Sequence, residues 1–128
     1  MDMFKGVINI SNDLIITPNF SFEDFKRTKY YKKQDGIRTI NLGETLVIDG
    51  RKYLVNLFFR SGKIYRVALM CCDIEYTEID EHKRKALHDA ILHEYGIQEK
   101  GEYAWGRIES VYDQRGNVSS INIYYGVS

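Results

Sequence analysis

The stretch LVIDGRKYLVNLFFRSGKIYRVALMCC, residues 46–72, contains two turn signals between segments rich in β-branched and aromatic residues. Such segments favour β-strands, and short turns between them favour antiparallel hairpins. Asp49 followed by Gly50 is typical of a two-residue type I′ turn, which would pair Ile48 with Arg51. The stretch therefore predicts a three-stranded antiparallel meander.

The second turn, residues 59–62, sets the register of the last two strands and allows two interpretations. A type I turn with its glycine at a left-handed bulge position would place Leu57 opposite Tyr65. A tight turn at Ser61-Gly62 would instead place Leu57 opposite Arg66. We favour the bulged turn, because a shift of one residue would send every side chain to the other face of the sheet.

Side-chain alternation in this register gives the meander one apolar face and one mixed face. The apolar face, which we expect in the core, consists of Leu46, Ile48, Tyr53, Val55, Leu57, Phe59, Tyr65, Val67, Leu69 and Cys71. The reverse face consists of Lys52, Leu54, Asn56, Phe58, Arg66, Ala68, Met70 and Cys72. Burying Leu54, Phe58 or Met70 would contribute about 1.5–3 kcal/mol each, so we expect the reverse face to be covered.

The only cysteines, Cys71 and Cys72, are adjacent on a predicted strand. Neighbouring strand residues point to opposite faces, and a regular strand fits disulfide geometry badly. We therefore expect one core thiol and one half-buried thiol, both reduced, in preference to a vicinal disulfide.

The chain before the meander predicts a hairpin followed by a short helix. Residues 7–10 and 14–17 are rich in isoleucine and flank a polar turn. Ser21 begins an S-x-x-D capping pattern, which predicts a helix over residues 22–29. The following basic and tyrosine-rich residues, 28–36, suit either a solvated loop or a nucleic-acid contact; we expect the loop, with nucleic acid unlikely as a partner.

After an extended stretch at residues 74–79, a second helix is predicted from Asp80 to just before a left-handed cap at Gly96. Its predicted buried stripe consists of Ala86, Leu87, Ala90, Ile91 and Tyr95. Three histidines, His82, His88 and His93, do not have the spacing that helical zinc ligands need, so we expect them exposed or locally bonded, as His93 with Asp89.

The segment WGRIESVYDQRGNVSSINIYYG, residues 105–126, predicts a closing hairpin around Arg115-Gly116 that pairs Ile108 with Ile123. One side of this hairpin is apolar and should join the core. The other side would present Trp105, Arg107, Glu109, Val111, Ser120, Asn122 and Tyr124. Trp, Tyr and Arg are enriched where binding energy concentrates, which indicates a recognition surface. The alternative is that Trp105 packs under a neighbouring loop while the charges form cross-strand pairs.

Composition narrows the classes of function. The chain has 128 residues, with 18 basic and 18 acidic side chains, so no net field attracts nucleic acid or an anionic membrane. It lacks a signal-peptide pattern and any apolar run of about 20 residues. We expect one cytoplasmic α+β domain spanning residues 1–128.

The helix HDAILHEYG followed by WGRIESVYDQRGNVSSINIYY resembles the C-terminal pattern of small uncharacterised bacterial α+β proteins. These proteins have a capped helix, a W-G strand, a Y-D turn and an I-x-I-x-Y strand. The resemblance covers about the last 45 residues. The general layout is also similar to that of bacterial immunity proteins and secretion chaperones, which implies a protein partner by analogy of fold alone.

Familiar enzymatic motifs are missing from the sequence: there is no P-loop, no G-x-G-x-x-G, no G-x-S-x-G and no HExxH. We therefore predict no catalytic residue, no metal ligand and no cofactor. An enzyme stays an alternative, since His88 or His93 could approach Glu109 or Asp113 in space.

These patterns together predict an α+β fold with a single antiparallel sheet of about seven strands, in the order ββ-α-βββ-α-ββ, and two helices packed on one face. The predicted function is a non-enzymatic, bacterial protein-binding module, immunity-like, inhibitor-like or chaperone-like, which binds a protein partner or a second copy through the open sheet face. The predicted partner-binding residues are Trp105, Arg107, Glu109, Asn122, Tyr124, Phe58, Arg66 and Met70. The alternative is a small-molecule-binding or catalytic pocket on the curved sheet.

Overall fold

The computed structural model describes residues 1–98 and 100–126. Two strands precede a short helix, four strands follow it, and three strands follow a second helix. The strands are β1 (Ile8–Asn9), β2 (Ile15–Ile16), β3 (Thr39–Asn41), β4 (Leu46–Ile48), β5 (Arg51–Arg60), β6 (Lys63–Cys71), β7 (Lys100–Tyr103), β8 (Gly106–Asp113) and β9 (Val118–Tyr125). The helices are α1 (Phe22–Phe25) and α2 (Arg84–Glu94), and a 3₁₀ turn, Glu81–Lys83, leads into α2.

The main sheet has seven strands in the order β3-β5-β6-β9-β8-β7, with β4 pairing the start of β5, and every pairing is antiparallel. The α+β class and the antiparallel sheet are thus confirmed. The prediction of one sheet is wrong, because the predicted first hairpin forms a separate two-stranded sheet, β1-β2. The edge strands β3 and β7 were not predicted. They are short and mostly polar, so they carry no alternating apolar pattern.

The first turn of the meander is confirmed and the second is wrong. Asp49 and Gly50 both have positive φ, 51° and 82°, and Ile48 pairs with Arg51 as predicted. The second turn is the tight one at Ser61-Gly62, with φ of 52° and 78°. The bulge that we placed in this turn lies inside the hairpin instead, between Phe58 and Phe59.

The displaced bulge explains why the faces of the sheet are nearly as predicted. A tight turn shifts the register by one residue, and the bulge shifts it by one more, so the alternation is restored. Leu57 therefore pairs with Val67, and Phe58 pairs with Arg66. Tyr65, which we expected in the core, is only half-buried, and Ile64 occupies a core position in its place.

One hydrophobic cluster combines side chains from the sheet, the β1-β2 hairpin and both helices. Of the ten meander residues predicted in the core, all but Leu46 and Tyr65 are buried. The largest fully buried side chains are Tyr53, Phe25, Ile8, Leu14, Ile16, Ile48, Leu57, Leu69, Ile91, Leu92, Ile108 and Ile121. This cluster defines the core face of the seven-stranded sheet. Its other side is called the open face below.

Helix α1 has the predicted cap but is shorter than predicted. Ser21 Oγ accepts a hydrogen bond from the Asp24 amide, and the Asp24 carboxylate accepts one from the Ser21 amide. This capping box lowers the pKa of Asp24. The helix ends at Phe25, whose carbonyl accepts a hydrogen bond from the Thr28 hydroxyl. Tyr30 and Tyr31 in the basic loop are partly buried and pack against the core.

Helix α2 ends with the predicted left-handed Gly96 (φ 79°), but it buries a different stripe from the predicted one. Ile91 is buried as expected, whereas Ala86 and Ala90 are exposed and Leu87 and Tyr95 are half-buried. The buried positions of α2 are Arg84, His88, Ile91 and Leu92. Two polar side chains thus face the core, and each has a specific partner there.

His88 is fully buried and accepts a hydrogen bond from the Cys71 amide at its Nε2 (3.0 Å), so the prediction that it is exposed or bonded only locally is wrong. Burial disfavours the charged imidazole and lowers the pKa of His88 to about 4. The predicted contact of His93 with Asp89 does not form; His93 is exposed, and Asp89 binds Lys85 instead.

Arg84 forms a buried ion pair with Glu81, and its two guanidinium contacts with the carboxylate measure 2.9 and 3.0 Å. Its guanidinium also donates to the carbonyl of Cys71 at the end of β6. The Glu81 carbonyl accepts a hydrogen bond from the Ser119 hydroxyl (3.1 Å) on β9. Burial alone would raise the pKa of Glu81, but the Arg84 guanidinium outweighs it and lowers that pKa. The pair therefore joins the start of α2 to two strands.

Both cysteines are free thiols, with Cys71 in the core and Cys72 half-buried, as predicted. Burial raises the pKa of the Cys71 thiol. No helix in the described residues is long and apolar enough to cross a membrane.

Candidate functional site

The closing hairpin has the predicted register and continues the meander on both faces. Gly106 pairs with Tyr125, and Ile108 pairs with Ile123. Strand β9 also pairs with β6, so Tyr124 lies between Arg107 on β8 and Arg66 on β6. The mixed side of the hairpin and the reverse face of the meander are therefore one surface, the open face.

Six side chains form a continuous strip across the open face, in which arginines and aromatic rings contact one another. We call this strip the arginine–aromatic ladder. Its members, in spatial order, are Arg60, Tyr65, Phe58, Arg66, Tyr124 and Arg107. The ladder alternates between β5 and β6 over its first four members and then crosses to β9 and β8. The bulge opposite Phe58 and Phe59 leaves Tyr65 of β6 unpaired, beside Phe58.

The contacts along the ladder are cation–π and edge-to-face contacts. The Arg66 guanidinium carbon lies 4.4 Å from the centre of the Phe58 ring and 5.6 Å from that of Tyr124. The Arg107 guanidinium lies 4.1 Å from the Tyr124 ring centre. At the other end, Arg60 lies 4.2 Å from the centre of the Tyr65 ring, which meets Phe58 at 6.2 Å. Such contacts hold long arginine side chains in place.

The three ladder arginines have no acidic partner within the described parts of the chain. Arg66 donates from Nε and Nη2 to the neutral Asn122 side-chain oxygen, at 3.2 and 2.8 Å. By contrast, Arg51 and Arg84 form ion pairs with carboxylates. The ladder is consequently an ordered strip of positive charge on a chain whose net charge is zero.

Apolar and amide side chains border the ladder on the open face. Leu54 pairs across the strands with Met70, and both are half-buried outside the hydrophobic core cluster. Asn56 accepts a hydrogen bond from Asn41 (2.9 Å), and Asn122 is buried between the strands. The face thus combines apolar patches, amides and charge, the mixture that is typical of protein–protein interfaces.

A shallow depression of about 480 Å³ lies at the β7 end of the open face. Its lining residues are Lys100, Glu102, Tyr103, Gly106, Arg107, Glu109 and Gly126. Lys100 and Glu102 form an exposed ion pair (3.3 Å) at its rim. The depression is wide and charged, and this differs from the mostly apolar, enclosed pockets that usually hold small molecules.

Trp105 does not lie on the open face, which corrects its predicted placement. It precedes β8 and packs against the core, where its ring lies 5.4 Å from Tyr125 and stacks on Tyr103 at 5.3 Å. Its indole nitrogen donates to the Phe4 carbonyl (2.8 Å). A Cβ atom on Gly6 would approach the Trp105 ring to 2.6 Å, so the ring lies flat on the N-terminal segment. The alternative interpretation, packing under a neighbouring loop, is the one observed.

The acid–base pairs considered from the sequence are not assembled around His88. That residue faces the core, whereas Glu109 alternates with the buried Ile108 and Ser110 and therefore lies on the open face. Asp113 accepts a hydrogen bond from the Arg115 amide in the β8–β9 turn. Within residues 1–98 and 100–126, no three His, Cys, Asp or Glu side chains are arranged to hold a metal ion.

The open face therefore brings together seven of the eight residues predicted for partner binding: Phe58, Arg66, Met70, Arg107, Glu109, Asn122 and Tyr124. Sequence reasoning missed Arg60 and Tyr65. The bulge leaves Tyr65 unpaired beside Phe58, and Arg60 joins the ladder through its contact with that ring. The only sequence signal for the bulge was the conflict between a strong Ser61-Gly62 turn and the apolar pattern.

Comparison of the chain with protein families, with curated proteins and with solved structures gave no match.

Proposed function

We propose that this chain is a non-enzymatic protein-binding module, of the general kind that immunity proteins and secretion chaperones represent, and that it binds its partner through the open face. The observation that carries the proposal is the arginine–aromatic ladder. Arginine and tyrosine are the residue types that dominate binding energy at interfaces, and here they occupy long central strands. Rigid strands keep their geometry before a partner arrives.

The composition of the open face supports a role in binding another protein, and it differs from that of a surface packed inside the fold. Leu54, Phe58 and Met70 are half-buried, and they contact neighbouring strands while staying outside the core cluster. An interface centre typically combines such apolar side chains with a few polar groups and a polar rim. The half-buried Asn56 would supply hydrogen bonds within it, while the buried Asn122 holds the Arg66 guanidinium.

The experiment uses the chain as bait, identifies the captured protein, and then titrates that purified protein against purified variants. Phe58→Asp places a charge in the ladder, and Ile79→Asp makes the same change at an 86 % exposed residue remote from it. The proposal predicts that Phe58→Asp weakens binding at least about tenfold while Ile79→Asp leaves it unchanged. Equal binding by both variants would show that the open face is not the interface.

A small-molecule site is the second candidate, because the depression beside Arg107 falls within the size range of ligand pockets. A ligand that binds only the folded chain raises its melting temperature. Thermal shifts with a panel of anionic metabolites, lost in Arg107→Gln, would support this candidate. Their absence would leave the protein-binding proposal alone.

A further inference from the structure

We infer that the partner presents an acidic surface, with carboxylates that bind the arginines of the ladder. This inference rests on the proposed protein-binding function and adds the chemistry of the partner. It follows from the charge, the order and the spacing of the three guanidinium groups on the open face.

The first observation is that the ladder arginines are positively charged and, among the described residues, unpaired. Arg60, Arg66 and Arg107 lack ion pairs with any described residue, whereas Arg51 pairs with Asp73 and Glu94. Arginine binds carboxylates bidentately through its planar fork of N–H donors. Arg66 donates two of its hydrogen bonds to the neutral Asn122 oxygen. The remaining N–H donors of the three guanidinium groups are left for a partner.

The second observation is that aromatic rings hold the ladder arginines in place. An arginine that is free in water must lose much of its rotamer freedom when it binds. The rings of Phe58 and Tyr124 flank Arg66, and the Tyr124 ring also contacts Arg107. The ladder therefore reduces the entropy that binding would cost, which is how preorganised interfaces gain affinity.

The third observation is the spacing of Arg66 and Arg107 across the sheet. Arg66 and Arg107 both align with Tyr124 but lie on strands to either side of it. Neighbouring strands are about 4.8 Å apart, so the two backbones are separated by about 10 Å. Two turns of an α-helix rise about 11 Å, so carboxylates two turns apart on a helix would match this separation, with the Tyr124 ring between them.

A protein fits these features better than a nucleic acid does. Glu102 lies opposite Arg107 in the β7–β8 register without forming an ion pair with it, and Glu109 lies two residues further along β8. A phosphate backbone, whose charges recur at every nucleotide, would meet these carboxylates, and the chain has no net positive charge to attract it. A second copy fits less well, because a two-fold contact centred on the ladder would bring its arginines together.

The test titrates a helical synthetic peptide that carries glutamates two turns apart, with a glutamine-for-glutamate peptide and oligo(dT) as comparison probes. The protein variants are Arg66→Gln/Arg107→Gln and the charge-matched control Arg27→Gln/Arg115→Gln, whose arginines are exposed and off the ladder. Melting temperatures establish that every variant is folded.

The expected result is salt-sensitive binding of the acidic peptide alone, weakened at least about tenfold by the ladder variant and unchanged by the control. Equal binding by both variants, or no binding of the acidic peptide, overturns the acidic partner and leaves the protein-binding proposal to the Phe58→Asp titration. Tighter, ladder-dependent binding of oligo(dT) overturns both, because the open face would then bind nucleic acid.

Discussion

The Arg107 guanidinium lies 4.1 Å from the centre of the Tyr124 ring, directly across the β8–β9 pairing. Tyr124 also contacts Arg66 on the next strand, so one ring links two cations. Exposed contacts of this kind each contribute about 0.5–1 kcal/mol to stability, too little to hold the fold together. These contacts therefore order the arginines while adding little to the stability of the sheet.

Trp105→Ala and Tyr124→Ala should separate structural from binding roles. Trp105 packs on the core and donates to the Phe4 carbonyl, so its truncation should cost about 2 kcal/mol of unfolding free energy. Tyr124 is half-buried on the open face, and its truncation should cost about 1 kcal/mol. Urea denaturation measures both changes. A larger loss for Tyr124→Ala would place that residue in the structural framework and undermine its binding role.

Arg84 should be the most sensitive charged residue of the chain. Arg84→Met would leave the Glu81 carboxylate buried without its counter-charge, and we expect a loss of about 3–5 kcal/mol in unfolding free energy. Lys83→Met is the matched control, because it breaks only the exposed pair with Asp80 and should change stability by less than about 0.5 kcal/mol. Denaturant unfolding of the two variants side by side gives the comparison. Similar small effects would mean that the buried pair does not join α2 to the sheet.

His88 should make the fold sensitive to mild acid. Its pKa falls from 6.5 to about 4 on folding, so its contribution to stability is complete above pH 6.5 and is lost as the pH falls toward 4. The loss over this window is about 3 kcal/mol. His88→Gln should remove that part of the pH dependence, whereas His93→Gln on the exposed side of α2 should retain it. Unfolding free energies measured across the window test this, and an unchanged slope in His88→Gln would contradict it.

The chain should be a monomer in solution, because stacking two open faces on a two-fold axis brings unpaired arginines together. Light scattering behind size exclusion, at several concentrations, measures this directly. A dimer that Phe58→Asp dissociates and Ile79→Asp does not would show that the open face binds a second copy instead of an acidic partner.

The closing hairpin and the first meander turn were predictable because each turn has a strong local signal. Asp49-Gly50 specifies its turn through backbone conformation, and the apolar alternation of β8 and β9 agrees with the loop at Arg115-Gly116. Local and long-range preferences point to the same register there, which explains why Arg107, Glu109, Asn122 and Tyr124 lie on the open face as predicted. Phe58, Arg66 and Met70 lie there because the bulge restores the alternation that the tight second turn shifts.

The remaining features depend on contacts between distant parts of the chain. The stripe of α2 was misplaced because Arg84 and His88 are polar by residue type, and their burial depends on Glu81 and the Cys71 backbone as partners. Trp105 was placed on the open face by alternation, but it precedes the strand, and its packing depends on Gly6 near the other end of the chain. Such partners cannot be identified from spacing along the chain.

We propose that the ladder is the contact surface for a protein partner. The most direct measurement follows the arginine Nε–H resonances of the ¹⁵N-labelled chain while the purified partner is added. We expect shifts or broadening at Arg60, Arg66 and Arg107, with Arg27 and Arg115 unchanged as internal controls. Perturbation of the control arginines with no change along the ladder would contradict it.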